Sequence, residues 1–125
     1  MRRTGSLAMT GVWLAVVLAL AGCGGGSGAT PASATIQTIS PTEAADLLAG
    51  APPGLVVLDV RTPGEFSEGH LPAAVNLDYT AADFGDELAG LDRDAPYVLY
   101  CRSGNRSAGA REMMRDLGFA EVHEI

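Results

Sequence analysis

After residue 34 the sequence alternates between short β-rich runs and stretches with helical periodicity. The runs Val56-Val57-Leu58 and Val98-Leu99 are continuously apolar, which is typical of strands buried on both faces of a parallel sheet. This alternation predicts an α/β domain with a central, mainly parallel sheet of about five strands flanked by helices. The predicted strands are residues 35–39, 55–60, 74–77, 97–100 and 121–123.

Two predicted helix starts carry a complete capping box. Ser40 and Thr62 are each followed by proline at the first helical position and by glutamate three residues on. A weaker third signal begins at Thr80. The last predicted helix covers residues 107–117, where apolar side chains recur at helical spacing and Gly118 follows.

The first 22 residues predict an export signal rather than part of the domain. Arg2 and Arg3 precede the apolar run 11–21, which is shorter than the roughly 20 residues that a membrane-spanning helix needs. Residues 20–23, Leu-Ala-Gly-Cys, resemble a bacterial lipobox, so we expect cleavage before Cys23 and attachment of diacylglycerol to it. An ordinary cleaved signal and a retained helix are the alternatives, and the two arginines leave the export route open.

This interpretation divides the chain into a signal peptide (1–22), a lipidated cysteine with a flexible Gly/Ser/Ala tether (23–35) and one domain (36–125). Stable anchoring takes more than one acyl chain, which a lipidated Cys23 supplies. The protein is therefore expected at the cell membrane, lipid-anchored on the extracytoplasmic side, in the periplasm or on the outer face.

The composition excludes several classes of partner. The net charge is −7, with 15 acidic and 8 basic residues and no lysine, so the chain lacks the basic patch that binding nucleic acid requires. Its two cysteines match neither a disulfide framework nor a structural zinc pattern. We therefore expect no nucleic-acid partner, no metal and no cofactor.

The candidate chemistry lies where the predicted strand 97–100 runs into a polar loop and then a helix. The loop residues are Cys101, Arg102, Ser103, Gly104, Asn105, Arg106 and Ser107. Parallel sheets bind ligands at the carboxyl ends of strands, and such a junction directs backbone N–H groups and the helix dipole to one point. The glycine permits a positive φ, and the serines and asparagine form local hydrogen bonds without bulk. We predict an anion-binding loop whose reactive group is the Cys101 thiolate.

Arginines concentrate around this loop although the chain is acidic overall. Arg102 and Arg106 are predicted to lie in the loop itself and to contact the bound anion. Arg111 and Arg115 are interpreted as a solvated helix face, with Glu112, one turn before Arg115, as the natural partner of Arg115.

Two sequence blocks resemble the rhodanese family. The upstream block is LDVRTPGEF at 58–66 with GHLPAAVN at 69–76, and the downstream block is YCRSGNRS at 100–107. The resemblance covers residues 39–125 and implies the three-layer rhodanese-like fold. It also implies that Cys101 takes a sulfane sulfur from an anion such as thiosulfate and passes it, as a persulfide, to a thiol or to cyanide.

Other residues of the upstream block are assigned to structural support rather than catalysis. Asp59, Arg61 and Glu65 are expected to supply an ion pair that fixes the turn after the second strand, and His70 to cap or to hydrogen-bond backbone. His123 is expected on the surface. A general base is not required, because backbone dipoles can activate a thiolate.

Loop length separates this interpretation from a cysteine phosphatase. Phosphatases use Cys-x₅-Arg, whereas here the sixth residue after Cys101 is Ser107 and the arginine comes one place earlier, at Arg106. Among rhodanese-like domains, a six-residue loop such as 101–106 belongs to sulfurtransferases and the seven-residue relatives include dual-specificity phosphatases. The resemblance therefore implies sulfur transfer.

Rhodanese-like domains usually continue past the strand that corresponds to residues 121–125 with a helix over one face of the sheet, which is missing here. The chain is then either a truncated product or one that tolerates an exposed apolar patch, and low stability of the isolated domain is expected. Two alternative functions stay open: a non-catalytic module that binds an anion or a partner, and a persulfide carrier or redox partner for another cell-envelope protein.

Overall fold

A computed structural model describes residues 33–125 of the chain. All five predicted strands are confirmed, with bounds within about one residue of the prediction. The elements are β1 (Thr35–Thr38), α1 (Pro41–Gly50), β2 (Val56–Asp59), α2 (Pro63–Glu68), β3 (Val75–Asn76), α3 (Phe84–Ala89), β4 (Pro96–Tyr100), α4 (Asn105–Asp116) and β5 (Glu121–Glu124).

The predictions for the amino-terminal segment are not tested by this structure. The signal peptide and Cys23 lie outside the described residues. Among the helices of residues 33–125, none has the length and apolar character needed to cross a membrane.

The five strands form one parallel sheet in the spatial order β1-β5-β4-β2-β3. The central strand is β4, with Leu99 opposite Leu58 of β2 on one side and opposite Glu124 of β5 on the other. Val57 and Val98 are buried like their apolar neighbours, as expected for a sheet that is covered on both faces. The carboxyl end of β4 therefore lies in the middle of the sheet edge.

The main apolar cluster lies between the sheet and the two helices α3 and α4. Leu99 of β4, Phe84 of α3 and Met114 of α4 are buried together there. Side chains of a strand alternate between faces, so Val57 of β2 points to the opposite side, where it shares a groove with Leu48 of α1. Helices on both faces of the sheet give the three-layer arrangement.

Both complete capping boxes start a helix, as predicted. At α1 the Glu43 N–H donates to Ser40 Oγ at 3.2 Å, and the Ser40 N–H donates to the Glu43 carboxylate at 2.8 Å. At α2 the Glu65 N–H donates to Thr62 Oγ1 at 3.3 Å, and the Thr62 N–H donates to Glu65 at 3.0 Å. These bonds satisfy N–H groups that the first helical turn leaves without a partner.

The third predicted helix start, at Thr80, is wrong. Helix α3 begins at Phe84, with Asp83 at the N-cap position and no side-chain capping bond. Asp78 accounts for the difference, because its carboxylate accepts the N–H and the hydroxyl of Thr80 at 2.9 and 2.7 Å. The Thr80 hydroxyl is thus engaged in a turn that precedes the helix.

The expectation that His123 lies on the surface is also wrong. His123 is buried, with 9% exposure, because β1 pairs with β5 and places Gln37 opposite it. Its Nδ1 lies 3.3 Å from Gln37 Nε2, and its Nε2 lies 2.8 Å from Glu121 Oε1. The ring therefore joins the edge strand to its neighbour.

Candidate active site

Cys101 directly follows β4, so it lies at the carboxyl end of the central strand. Gly104 occupies the N-cap position of α4 with a φ of +83°, a left-handed conformation that glycine adopts without steric cost. The helix begins at Asn105 rather than at Ser107. Asn105 and Arg106 therefore belong to its first turn, which corrects the prediction that both lie in the loop.

The sulfur of Cys101 faces hydrogen-bond donors at the start of α4. The Gly104 N–H donates to Sγ at 3.1 Å, and the Ser107 hydroxyl oxygen lies 3.4 Å from Sγ. Cys101 is half-buried, whereas Ser107 is fully buried. The sulfur is thus open to a small reactant on one side and held by polar groups on the other.

These contacts favour the thiolate. Burial raises the pKa of the Cys101 thiol, but hydrogen bonds from the Ser107 hydroxyl and from the N–H groups of Ser107, Ser103 and Gly104 outweigh it and lower the pKa overall. A lowered pKa increases the fraction of thiolate at neutral pH, and the thiolate is the nucleophilic form of cysteine.

Arg106 pairs with a carboxylate instead of lying free to bind an anion. Its Nη1 and Nη2 donate to Glu65 Oε2 and Oε1 at 2.7 and 2.8 Å. This bidentate pair connects the first turn of α4 to the capping box of α2. Hydrogen bonding to Arg106, together with the Thr62 N–H, holds the pKa of Glu65 well below its usual range. The expected role of Arg106 is therefore corrected: its guanidinium fixes the loop from one side.

Arg102 is the loop arginine that remains for an anion. Its side chain is exposed, and within residues 33–125 it forms no ion pair. It lies next to Cys101 in sequence and lines the groove beside it. Its positive charge thus lies beside the groove that leads to the Cys101 sulfur, where it can attract an anion.

Asp59 and Arg61 form the ion pair that was expected after the second strand. Arg61 Nη2 donates to Asp59 Oδ2 at 2.6 Å and to the Gly69 carbonyl at 2.7 Å. Burial raises the pKa of Asp59, but hydrogen bonds from Arg61 and Tyr100 outweigh burial and lower it. Glu65 does not belong to this pair, because it is bound to Arg106 as described above.

His70 contacts backbone, as expected. Its Nδ1 lies 2.8 Å from the Phe66 carbonyl oxygen, and its ring stacks on the Phe66 ring with centroids 3.7 Å apart. The residue therefore closes the end of α2 and supports the turn that leads to Leu71, whose N–H donates to the Tyr100 hydroxyl at 3.1 Å.

An open groove of about 580 Å³ adjoins Cys101 on the α1 side of the sheet. In the described part of the chain, Val75 is the exposed large apolar residue, and it does not line this groove, so the expected apolar patch stays a prediction. The lining consists of small and apolar residues with the loop at one end: Pro41, Ala44, Ala45, Leu48, Leu71, Tyr100, Cys101, Arg102, Ser103, Gly104 and Ile125.

The comparison with known protein families agrees with this arrangement of a cysteine loop at the end of a parallel strand. The family model for the rhodanese-like domain matches residues 40–125, well over half of the chain. The chain belongs to the rhodanese-like domain family. The loop 101–107 therefore lies within the matched domain.

Two relatives share the domain over most of their length. Thiosulfate sulfurtransferase GlpE of Pseudomonas aeruginosa strain LESB58 is 35% identical over 94 residues, which cover 74% of this chain and 80% of that protein. The protein of the same name from Pseudomonas entomophila strain L48 is 38% identical over 90 residues, which cover 71% of this chain and 77% of that protein. Both names describe those proteins' transfer of sulfur from thiosulfate.

Solved structures agree on the fold. A rhodanese-related protein from Thermoplasma volcanium superposes with a TM-score of 0.57 at 31% identity, covering 72% of this chain and 82% of that one. A rhodanese-like domain protein from Staphylococcus aureus gives a TM-score of 0.60 at 27% identity, covering 69% and 81%. The five-stranded α/β architecture of this chain is thus the rhodanese-like one.

Sequence reasoning missed a buried carboxylate behind the loop of this rhodanese-like domain. Glu124 of β5 is 3% exposed, and its partners are Ser107, Thr38 and Arg111. Arg111 was interpreted as solvated, but besides Glu112 it contacts Thr38 of β1 and Glu124 of β5. Arg115 pairs with Glu112, as expected. The available signal was a charged residue on the same strand face as the buried Val122.

Proposed function

We propose that this chain is a sulfurtransferase that moves a sulfane sulfur from a small anion such as thiosulfate to a thiol or to cyanide. The observation that carries the proposal is the half-buried Cys101 sulfur, which accepts the Gly104 N–H at the start of α4. The relatives' name, thiosulfate sulfurtransferase, supports the reaction class.

The reaction consists of two displacements at sulfur. The Cys101 thiolate attacks the outer sulfur of thiosulfate, the S–S bond of the donor breaks, and sulfite leaves with the electron pair. The acceptor, as cyanide or a thiolate, then attacks the outer sulfur of the persulfide and releases the Cys101 thiolate. Both the thiolate and the persulfide are anions, so N–H groups directed at this point stabilise each in turn.

In this proposal Arg102 attracts the anionic donor, while Arg106 holds the loop through Glu65. The two arginines flank Gly104, which sets the direction of the N–H groups. Arg102 is exposed, so its contribution is electrostatic attraction and one charge-assisted hydrogen bond at most.

Mass spectrometry of the purified chain after thiosulfate treatment tests the first displacement. We expect Cys101 to gain one sulfur atom, and the matched variant Cys101→Ser to gain none. An unmodified Cys101 would contradict the proposal. Continuous formation of thiocyanate from thiosulfate and cyanide, over many turnovers, then tests the second displacement.

A persulfide carrier or redox partner is the second candidate function. Cys101 is the one free cysteine of the described residues, so there is no second thiol there to resolve a disulfide, and the open groove beside it leaves room for an acceptor group. A carrier would form the persulfide once and discharge it only to a thiol of another cell-envelope protein. A binding module without sulfur chemistry would form no persulfide at all.

We also propose that the protein is anchored at the extracytoplasmic face of the cell membrane by lipid on Cys23. The support is the lipobox-like sequence that ends at this residue and the Gly/Ser/Ala-rich stretch that follows it. Fractionation of cells that express the full chain provides the test, with Cys101→Ser as a matched control. We expect wild type and control in the membrane fraction and Cys23→Ser outside it; an unchanged distribution of Cys23→Ser would contradict the anchor.

A further inference from the structure

A chain of polar contacts runs from the reactive sulfur to a buried carboxylate. Ser107 Oγ lies 3.4 Å from Cys101 Sγ and donates to Glu124 Oε1 at 2.7 Å. Ser107 is fully buried and Glu124 is 3% exposed, so water does not separate these groups. Ser107 thus bridges the loop to β5.

Glu124 accepts hydrogen bonds from partners on two other elements. The Thr38 hydroxyl of β1 donates to Glu124 Oε2 at 2.7 Å, and Arg111 Nη1 of α4 donates to the same oxygen at 3.3 Å. Arg111 also donates to the Thr38 hydroxyl. A carboxylate with these donors accepts hydrogen bonds and has none to give, so the proton between Ser107 and Glu124 belongs to Ser107.

The Ser107 hydroxyl has one proton and more than one acceptor. Ser107 Oγ donates to the Glu124 oxygen at 2.7 Å or to the Gly104 carbonyl at 3.2 Å, and it accepts from Cys101 Sγ at 3.4 Å. The short bond to a charged acceptor is the strongest of the three. In this arrangement the hydroxyl presents its lone pairs to Cys101, which stabilises the S–H form, and donates to the thiolate only after leaving Glu124.

We propose that Glu124 is a positioning residue that restrains ionisation of Cys101 by keeping the proton of the Ser107 hydroxyl directed away from the sulfur. When the thiolate forms, its proton leaves to solvent and the Ser107 O–H turns from Glu124 to Sγ; no covalent bond of Ser107 or Glu124 changes. The Ser107 hydroxyl then lowers the pKa of Cys101 by less than it would without Glu124, and the backbone N–H groups of Ser107, Ser103 and Gly104 add to its effect. The inference rests on the proposed function of this site.

The other charged groups near this chain of contacts are already compensated or exposed. Arg111 faces Glu124 from α4, and no titratable group faces it from β1, where Thr38 is the contact. On the Cys101 side, Arg106 is paired with Glu65 and Arg102 is exposed. If replacing Glu124 changes the pKa of Cys101, the change can therefore be attributed to the Glu124 carboxylate and to the Ser107 hydroxyl bound to it.

The pH dependence of Cys101 alkylation by iodoacetamide, followed on its peptide by mass spectrometry, tests the inference in the full chain. We expect Glu124→Gln to lower the pKa of Cys101 by about one pH unit, because the negative charge is lost and the neutral amide holds the Ser107 hydroxyl less strongly than the carboxylate does. Glu112→Gln is the matched control: it removes another carboxylate bound to Arg111 but does not touch Ser107, and we expect no shift. Equal profiles for wild type and Glu124→Gln would overturn the inference.

Ser107→Ala separates action through the hydroxyl from a direct effect of charge, and it tests the inference even if Glu124→Gln does not fold. In the wild-type background we expect it to change the pKa of Cys101 little, because the hydroxyl is held by Glu124. In the Glu124→Gln background the same change should raise the pKa clearly. A large increase in the wild-type background would overturn the inference, as would the same response in both backgrounds. Alkylation reads the thiol directly, so these outcomes stand apart from any failure of sulfur transfer.

Discussion

Arg102 and Arg106 lie two residues from Gly104 on either side, yet the structure gives them different tasks. The two terminal guanidinium nitrogens of Arg106 donate to the Glu65 carboxylate. Arg102, in contrast, is exposed and forms no ion pair within residues 33–125. The sequence alone treats the two as equals. Their difference depends on a contact between residues 41 positions apart, which no local pattern in the sequence encodes.

Replacing Arg102 by alanine should weaken use of the anionic donor. One charge-assisted hydrogen bond is worth about 1.5–3 kcal/mol, so kcat/KM for thiosulfate should fall about tenfold or more, mainly through KM. Steady-state thiocyanate formation measures this. Arg93→Ala is the matched control, because Arg93 is also exposed and lacks an ion pair in the described chain but lies outside the loop. Equal losses in the two variants would contradict a local role for Arg102.

At the scale of elements, the strands and two helix starts were predictable because their signals are local. Continuous apolar runs specify β2 and β4, and a hydroxyl, a proline and a glutamate at fixed spacing specify the starts of α1 and α2. The start of α4 was misplaced because its first residues, Asn105 and Arg106, are polar and extend no apolar stripe. The start of α3 was misplaced because Asp78 binds the Thr80 hydroxyl.

The site was predictable in part for the same reason. The roles of Cys101 and Gly104 could be predicted from the order of strand, loop and helix, because neighbouring residues in the sequence specify that order. Glu124 was missed because its burial depends on the packing of α4 and β1 around the end of β5. Residues whose backbone N–H groups contact the sulfur can thus be predicted from the sequence. Residues that contact the loop from another strand or helix cannot.

Gly104→Ala tests how the junction directs its N–H groups. A Cβ at this position meets no atom within 4 Å, but the φ of +83° is unfavourable for alanine, which costs about 1 kcal/mol of stability. We expect lower stability in urea and slower alkylation of Cys101 at neutral pH, because the Gly104 N–H moves away from the sulfur. Gly50→Ala also adds a methyl group in open space, without a positive φ, and should leave both properties unchanged or slightly improve stability. Similar behaviour of the two variants would contradict this role for the backbone of Gly104.

At the scale of the whole molecule, two carboxylates make stability depend on pH. Ion pairing with arginine lowers the pKa of both Asp59 and Glu65 in the folded chain. A carboxylate with a lowered folded pKa stabilises the fold above its unfolded pKa of about 4, and this contribution is lost as pH falls. The domain should therefore lose stability below about pH 4.

Glu65→Gln isolates one of these contributions. We expect its Tm to be lower than that of wild type at pH 7 and the difference to shrink as pH falls toward about 3, since the Glu65 carboxylate of the unfolded wild-type chain then takes up a proton while that of the folded chain stays ionised. Glu68→Gln, on the exposed end of the same helix, should follow the wild-type curve. Thermal melts across this pH range give the answer, and a constant difference between Glu65→Gln and wild type would contradict the assigned cause.

The proposed chemistry depends most on the ionisation of one sulfur, which direct titration measures. The pH dependence of thiolate ultraviolet absorbance, taken as the difference between wild type and Cys101→Ser, gives the pKa of Cys101. We predict a pKa below the ordinary value of about 8.5, because N–H groups at the start of α4 stabilise the anion. A pKa at or above that value would contradict the account.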